Sequence, residues 1–240
     1  MYGSWVLLVI IFISSIPVIA VFLWFRIAKY NYSIVWFLLA LLAGAAAYFP
    51  ALILQEMLNF SFQSIRAALF FHNFIRIAFT EEISRLLVLL IFFFITSRLS
   101  QKTSENPVNS SSDSLDNDKM LKALTTGLVI GFGFSLLETA RILAQDMNFA
   151  VMTLRIFFTA SLHGACGCRI GAAAVMLRKN PLQAALRIFT TVAIHGVFNM
   201  MLEMPFGFPS IAAFLIAVCT LITAIITIRN TARTTEKYSE

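Results

Sequence analysis

Long apolar runs recur along this chain, and nine ionisable side chains lie inside them. Hydrophobic residues make up 59% of the 240 residues and charged residues only 12%, whereas a soluble domain has about 25% charged residues. Each run is close to the ~20 residues that a helix needs to cross a bilayer. The composition therefore predicts a membrane protein, and the length leaves room for a single membrane domain over residues 1–240.

Seven of these runs are predicted to be transmembrane helices. Backbone groups inside a bilayer must be hydrogen-bonded within the segment, and the runs are too long for barrel strands. The predicted spans are 5–25, 33–54, 75–97, 121–143, 151–177, 183–203 and 210–228. The expected fold class is therefore all-α, a polytopic membrane bundle of about seven helices.

Basic residues are spread unevenly over the loops. Twelve of the 18 Lys and Arg lie in the first, third and fifth loops and the tail, while the alternate loops hold Arg66 and Arg76. The positive-inside rule then places the N-terminus outside and the C-terminus in the cytoplasm. The net charge of +6 is explained by this topology, so the lipid bilayer is an expected partner and nucleic acid is not. Residues 98–120 are rich in Ser, Asn and Asp, which predicts a mobile cytoplasmic loop.

The ionisable residues within the spans point to function. A charged residue at mid-bilayer costs about 2.5–3.5 kcal/mol, so such residues usually face the protein interior and serve an activity. They are Glu81, Glu82, Arg85, Glu138, Arg141, Arg155, His163, Arg169 and His195.

Two adjacent acids open the third span. On a helix, Arg85 shares a face with Glu81 at i,i+4 and with Glu82 at i,i+3. An ion pair that helps the helix enter the membrane explains one Glu, with Thr80 as N-cap. The same ion pair explains two neighbouring Glu beside a single Arg less well. Arg85 holds one carboxylate by charge pairing, and the other is then free to titrate.

Each of the next three spans also carries polar residues that are candidates for a functional site. The fourth places Phe134 and Glu138 one turn apart, with Arg141 beyond them, where a Glu138–Arg141 salt bridge is a structural alternative. The fifth carries His163 among small residues, and the sixth carries His195 and Asn199 on one face. For both histidines, hydrogen bonding between helices is the alternative interpretation. The predicted topology places Glu81 and Glu138 in the outer half of the membrane and the two histidines near the middle or just outside it, so these groups lie at a similar depth.

Carboxylates and imidazoles at one depth suit the activation of water for peptide hydrolysis. A Glu takes the proton of the water, and His and Asn donors stabilise the developing oxyanion. The chain has no HExxH motif and no Gly-Ser nucleophile motif with a paired base. A proton- or cation-coupled transporter is the alternative, because buried acids and histidines also form proton relays, but no internal repeat is found.

Together these motifs resemble the PrsW family, within the wider superfamily of CAAX prenyl endopeptidases and bacteriocin-immunity membrane proteases. The resemblance is carried by Glu81-Glu82-x-x-Arg85, Phe134-x-x-x-Glu138, His163 and His195-x-x-x-Asn199, in predicted catalytic helices over about 75–203. It implies a glutamic-type intramembrane endopeptidase of a bacterial inner membrane. It also implies a membrane-anchored substrate, such as an anti-sigma factor, cut near the outer face.

The resemblance further implies roles for individual residues. Glu81 resembles the general base, with Glu82, Arg85, Phe134 and Arg141 in support. Glu138 is expected to hold the water and shuttle its proton, while His163 orients water or substrate. His195 and Asn199 resemble the oxyanion stabilisers. Metal-free catalysis is favoured, but Glu81, Glu138, His163 and His195 are all possible Zn²⁺ ligands, so metal dependence stays open, as do the substrate and the oligomeric state.

Overall fold

A computed structural model describes residues 12, 14–28, 30, 32–101, 112–145, 155–204 and 207–237. Within these residues the secondary structure is helical and contains no strand, which confirms the predicted all-α class. In chain order the α-helices are α1 (Ile16–Ile27), α2 (Ile34–Met57), α3 (Ile65–Phe70), α4 (Thr80–Gln101), α5 (Ser112–Gln145), α6 (Ala160–Met176), α7 (Pro181–Glu203) and α8 (Phe208–Lys237).

Two π-helical segments lead directly into helices of the predicted site. The first, π1 (Phe71–Phe79), joins α3 to α4, and the second, π2 (Arg155–Thr159), precedes α6. Local side-chain caps mark where other helices begin. The Ser33 hydroxyl accepts a hydrogen bond from the Trp36 backbone N–H at 3.2 Å at the start of α2.

Four helices are long and apolar enough to cross a membrane, judged by length and composition within the described residues. They are Ile34–Met57, Asp116–Leu143, Pro181–Glu203 and Phe208–Thr235. The other two helices assigned to central spans differ for identifiable reasons. Helix α4 carries Glu81, Glu82 and Arg85 near its start, and α6 has 17 residues. The membrane character of the chain is confirmed, while seven spans and their orientation stay predictions.

Two boundaries of the sequence prediction need correction. Helix α4 continues to Gln101 and α5 begins at Ser112. Residues 98–101 and 112–120 of the predicted loop are therefore helical. Residues 102–111 lie outside the described residues, as does the first part of the predicted span 5–25. The polar composition of 112–120 misled the prediction because it is compatible with a solvated helix that extends an apolar one.

Helix α6 forms the centre of the bundle. Thirteen of its 17 residues are buried, and it packs against α4, α5, α7 and α8. It runs antiparallel to α5, since Gly131 faces His163 while Gly127 faces Gly167 and Gly171. Small residues on both helices let the two backbones approach closely, which brings His163 next to Glu138 of α5.

Candidate active site

Six of the nine ionisable residues converge in one cluster. Helix α4 supplies Glu81, Glu82 and Arg85, while α5, α6 and α7 each supply one residue. The six are Glu81, Glu82, Arg85, Glu138, His163 and His195. Their side chains are 0–3% exposed, except that of Glu138 at 15%. Glu138 therefore lies on the most accessible side of the cluster.

Arg85 is the cation that holds the acidic pair of α4. Its Nη2 donates to Glu82 Oε1 at 2.6 Å and lies 3.7 Å from Glu81 Oε2. Its Nη1 donates to the backbone carbonyl of His163 at 3.2 Å, and its guanidinium carbon lies 4.8 Å from the centre of the Phe134 ring. A buried charge needs partners of this kind to offset its lost hydration.

His195 is oriented by the second acid of the pair. Its Nδ1 lies 2.8 Å from Glu82 Oε1, and because a carboxylate only accepts, a neutral ring here donates from Nδ1. Arg85 Nη2 is farther from the same nitrogen, at 3.5 Å. The other nitrogen, Nε2, then carries a lone pair and lies 3.7 Å from Glu81 Oε2.

His163 repeats this arrangement with the opposite ring nitrogens. Its Nε2 lies 2.8 Å from Glu138 Oε2, so Nε2 donates and Nδ1 carries the lone pair. Nδ1 is buried, has no hydrogen-bond partner among the described residues and lies 3.9 Å from Glu81 Oε2. The two imidazole rings meet edge to face, with their centres 5.0 Å apart.

Glu81 occupies the point on which both histidines converge. Its Oε1 accepts a hydrogen bond from Gln55 Nε2 of α2 at 3.2 Å, while Arg76 Nε donates to the Gln55 carbonyl at 3.0 Å. Sequence reasoning missed Gln55, because one polar residue near the end of an apolar helix looks like a boundary residue. The carboxylate is therefore fixed from α2 as well as from its own helix.

The donor set fits a metal ion. Glu81, His163 and His195 each offer one buried ligand atom, and these atoms lie within 4.8 Å of one another. Tetrahedral Zn²⁺ with bonds of about 2.0–2.1 Å separates its ligand atoms by roughly 3.3 Å, so small side-chain movements would close the site. The carboxylate behind each histidine is also the usual support for a metal-binding imidazole. Glu138 is placed behind His163 instead of among these three.

The other predicted residues have separate positions. Phe134 is fully buried beneath the cluster, with its ring centre 5.3 Å from that of His163. Arg141 is exposed and donates to the Tyr48 hydroxyl at 2.9 Å. Asn199 lies one turn beyond His195 and is half-buried, and it forms no hydrogen bond with the cluster among the described residues.

Apart from Arg141, one further member of the nine is described away from the cluster. Arg169 extends toward α7, where its Nε and Nη2 donate to the hydroxyls of Thr191 and Thr190 at 3.1 and 2.8 Å. It therefore connects two helices. The side chain of Arg155 lies outside the described part of the structure.

Comparison with known families agrees with this site. Residues 33–228 match the family model described as PrsW family intramembrane metalloprotease, which is most of the chain. This chain belongs to the PrsW family. Comparisons with curated proteins and with solved structures find no match. The PrsW match includes all six residues of the cluster and the helices that carry them.

Membership of the PrsW family confirms the resemblance seen in the motifs. The family is one of proteases that act within the membrane, so proteins within the membrane are the class of substrate. Its description as a metalloprotease agrees with the donor set of Glu81, His163 and His195. Zn²⁺, which the sequence analysis left open, is therefore a possible cofactor of this PrsW-family protein.

Proposed function

We propose that this protein is an endopeptidase that hydrolyses peptide bonds of membrane-anchored proteins at the cluster around Glu81. One observation carries the proposal. Each of the two histidines uses one ring nitrogen for a carboxylate and turns the other toward Glu81 Oε2. Two lone pairs and a carboxylate oxygen then face one buried point, which is an arrangement for hydrolytic chemistry rather than for helix packing alone.

We further propose that Glu81, His163 and His195 hold a divalent metal ion, in place of the metal-free mechanism favoured from sequence. The support is the His₂Glu donor set, which matches catalytic zinc sites that keep a fourth position open. A Zn²⁺ ion bound there would lower the pKa of water and polarise the peptide carbonyl. Glu82 and Glu138 would hold the two imidazoles in the ligating tautomer and orientation.

The remaining residues have roles that follow from their positions. Glu138 is the most exposed acid of the cluster, so it is the group that we assign to take the proton of the attacking water and return it to the leaving amine. Arg85 balances the acidic pair of α4. Asn199 remains the proposed donor to the developing oxyanion, one turn from His195.

The proposal includes a side of the membrane and a class of substrate. The cluster lies toward one end of the bundle, and the basic residues Lys122 and Arg178 lie toward the other. Glu138 and Lys122 are 16 residues apart on α5, which is about 24 Å of helix. With the basic end in the cytoplasm, cleavage takes place in the outer half of the membrane. Single-span proteins of a bacterial inner membrane, anti-sigma factors among them, are the substrates to test.

The test uses purified protein, a model single-span substrate and four variants. Glu81→Gln, His163→Ala and His195→Ala are each expected to lower the cleavage rate by at least about 100-fold and to abolish bound metal measured by mass spectrometry. His72→Ala is the matched control, because His72 lies outside the cluster and pairs with Glu203. Wild-type cleavage by all three cluster variants would overturn the proposed site.

Metal dependence is tested separately. A chelator is expected to remove both the metal and the activity, and Zn²⁺ is expected to restore them. Full activity of protein shown to be metal-free would overturn the metal assignment. It would leave the glutamic mechanism, in which Glu81 itself is the base.

A further inference from the structure

A cavity lies at the opposite end of the bundle from the Glu81 cluster. It has a volume of about 870 Å³, within the range of about 300–1,000 Å³ that small-molecule sites occupy. Its walls come from the start of α2, the second half of α4, the start of α5 and the end of α6. No residue of the hydrolytic cluster lines it, so the proposed peptidase activity does not account for it.

The inner wall of this cavity is apolar. Trp36 of α2 lines it together with Leu90, Phe93 and Phe94 of α4. Phe94 and the neighbouring face of α4 are strongly exposed, so the cavity continues into a surface that a membrane helix presents to lipid. An apolar space that is open toward the lipid side suits an acyl chain better than a water-soluble metabolite.

The rim of the cavity is basic. Lys119, Lys122 and Arg178 line it, and none of its lining residues is acidic. Lys122 forms an exposed ion pair with Asp118 at 2.9 Å. Neither Lys119 nor Arg178 forms an ion pair in the part of the chain that the structure describes.

The charges beyond the rim do not cancel this basic character. Asp116 lies just outside the cavity and is paired with Lys179. Among the side chains that the structure describes, Asp116 and Asp118 are each paired with a lysine, while Lys119 and Arg178 remain at the opening. The rim is therefore suited to a phosphate group, which lysine and arginine bind through charge-assisted hydrogen bonds.

We propose that this cavity binds an anionic phospholipid, with the phosphate between Lys119 and Arg178 and an acyl chain against Trp36 and Phe93. The ligand must combine a negative headgroup with an apolar chain, because the cavity combines a basic rim with an apolar wall. Basic pockets between membrane helices bind acidic headgroups in this way. The site is independent of the proposed peptidase activity and of the orientation of the chain.

Tryptophan fluorescence provides a direct test, because Trp36 lines the cavity and the chain has three Trp. The double variant Trp5→Phe/Trp24→Phe leaves Trp36 as the sole reporter. It is placed in vesicles of phosphatidylcholine and phosphatidylglycerol in which one or the other lipid is brominated. At equal mole fractions, brominated phosphatidylglycerol is expected to quench Trp36 more strongly than brominated phosphatidylcholine.

Charge removal at the rim tests the specificity. Lys119→Gln/Arg178→Gln in the same background is expected to lower the preference for phosphatidylglycerol by about fivefold per charge removed. The matched control Arg229→Gln/Arg233→Gln removes two exposed cations of α8 and is expected to keep the preference. Equal quenching by the two lipids, or an equal loss of preference in the control, would overturn the proposal. So would relief of quenching by inorganic phosphate alone, since the site would then recognise phosphate without lipid.

Discussion

At the scale of single residues, the site depends on which atom of each side chain faces which neighbour. Glu82 and Glu138 are not interchangeable with Glu81, although all three are acids of the same cluster. The first two each contact the ring nitrogen of a histidine at 2.8 Å, whereas Glu81 faces the second nitrogen of both rings. Substitutions of these acids should therefore have different consequences.

Glu138→Gln is expected to lower the metal affinity by about 10–100-fold, because an amide holds the His163 ring less firmly than a carboxylate does. The cleavage rate is expected to fall by at least about 100-fold, because the change also removes the proposed proton acceptor. Stability should change little, since this side chain is partly exposed. Rates on the model substrate and metal content by mass spectrometry provide the measurement. Glu203→Gln is the control, because Glu203 bonds Asn73 at 2.8 Å away from the cluster. Equal losses in both variants would contradict the assignment.

Arg85→Leu is expected to destabilise the fold by about 3–5 kcal/mol, because it leaves the buried carboxylates of Glu81 and Glu82 without their cation. Equilibrium unfolding in mixed detergent and SDS micelles measures the change. Arg98→Leu, at the exposed end of the same helix, should stay within about 0.5 kcal/mol of wild type. If the two variants were equally stable, Arg85 would not be a structural cation.

At the scale of elements, close helix contact positions the groups of the Glu81 cluster. Helices α5 and α6 approach at glycines: a Cβ built on Gly131 would lie 2.0 Å from the His163 carbonyl oxygen. Helices α4 and α6 each follow a π-helical segment, and π-helices often occur near functional sites because they shift the register of the following residues. The sequence did not predict the π-helical segments, because they have no compositional signature.

Gly167→Ala is expected to cost about 1–3 kcal/mol in stability and to lower cleavage. The new methyl would lie 2.2 Å from the Gly127 carbonyl oxygen, so α5 and α6 must separate and His163 must move away from Glu138. SDS unfolding and cleavage rates measure both effects. Ala185→Ser, which adds one atom on an exposed face of α7, is the control. Wild-type stability and cleavage by Gly167→Ala would contradict this prediction, because the contact between α5 and α6 would then accommodate a methyl group.

At the scale of the whole molecule, the two ends of the bundle are chemically different. The Glu81 cluster, Tyr48 and Arg141 lie toward one end, and the basic-rimmed cavity lies toward the other. The positive-inside distribution predicts that the basic end faces the cytoplasm. The orientation of the chain therefore determines on which side of the membrane a substrate is cut.

Reporter fusions test this orientation. Alkaline phosphatase fused after Lys237 is expected to be inactive, and a fluorescent protein at the same site is expected to be bright, because both report a cytoplasmic C-terminus. Phosphatase fused after Met204, between α7 and α8, is the matched comparison and is expected to be active. The same activity at both sites would contradict the predicted topology.

Much of this protein follows from local properties of the chain. Apolar runs of about 20 residues require membrane helices, and the high cost of charge in hydrocarbon marks Glu81, Arg85, Glu138 and the two histidines as interior groups. The combination of motifs was sufficient to place the chain in its family. These conclusions depend on composition and on spacing within one helix, which can be read along the sequence.

The pairing of groups across helices depended on tertiary packing. Nothing in the spacing of Glu82 and His195, 113 positions apart, indicates that they meet, or that Glu138 supports His163 rather than joining the three candidate ligands. Gln55 became part of the site only because α2 packs beside α4. Distances between helices are set by how their side chains and glycines pack together. The choice between a metal site and an acid-base pair therefore depends on the folded arrangement.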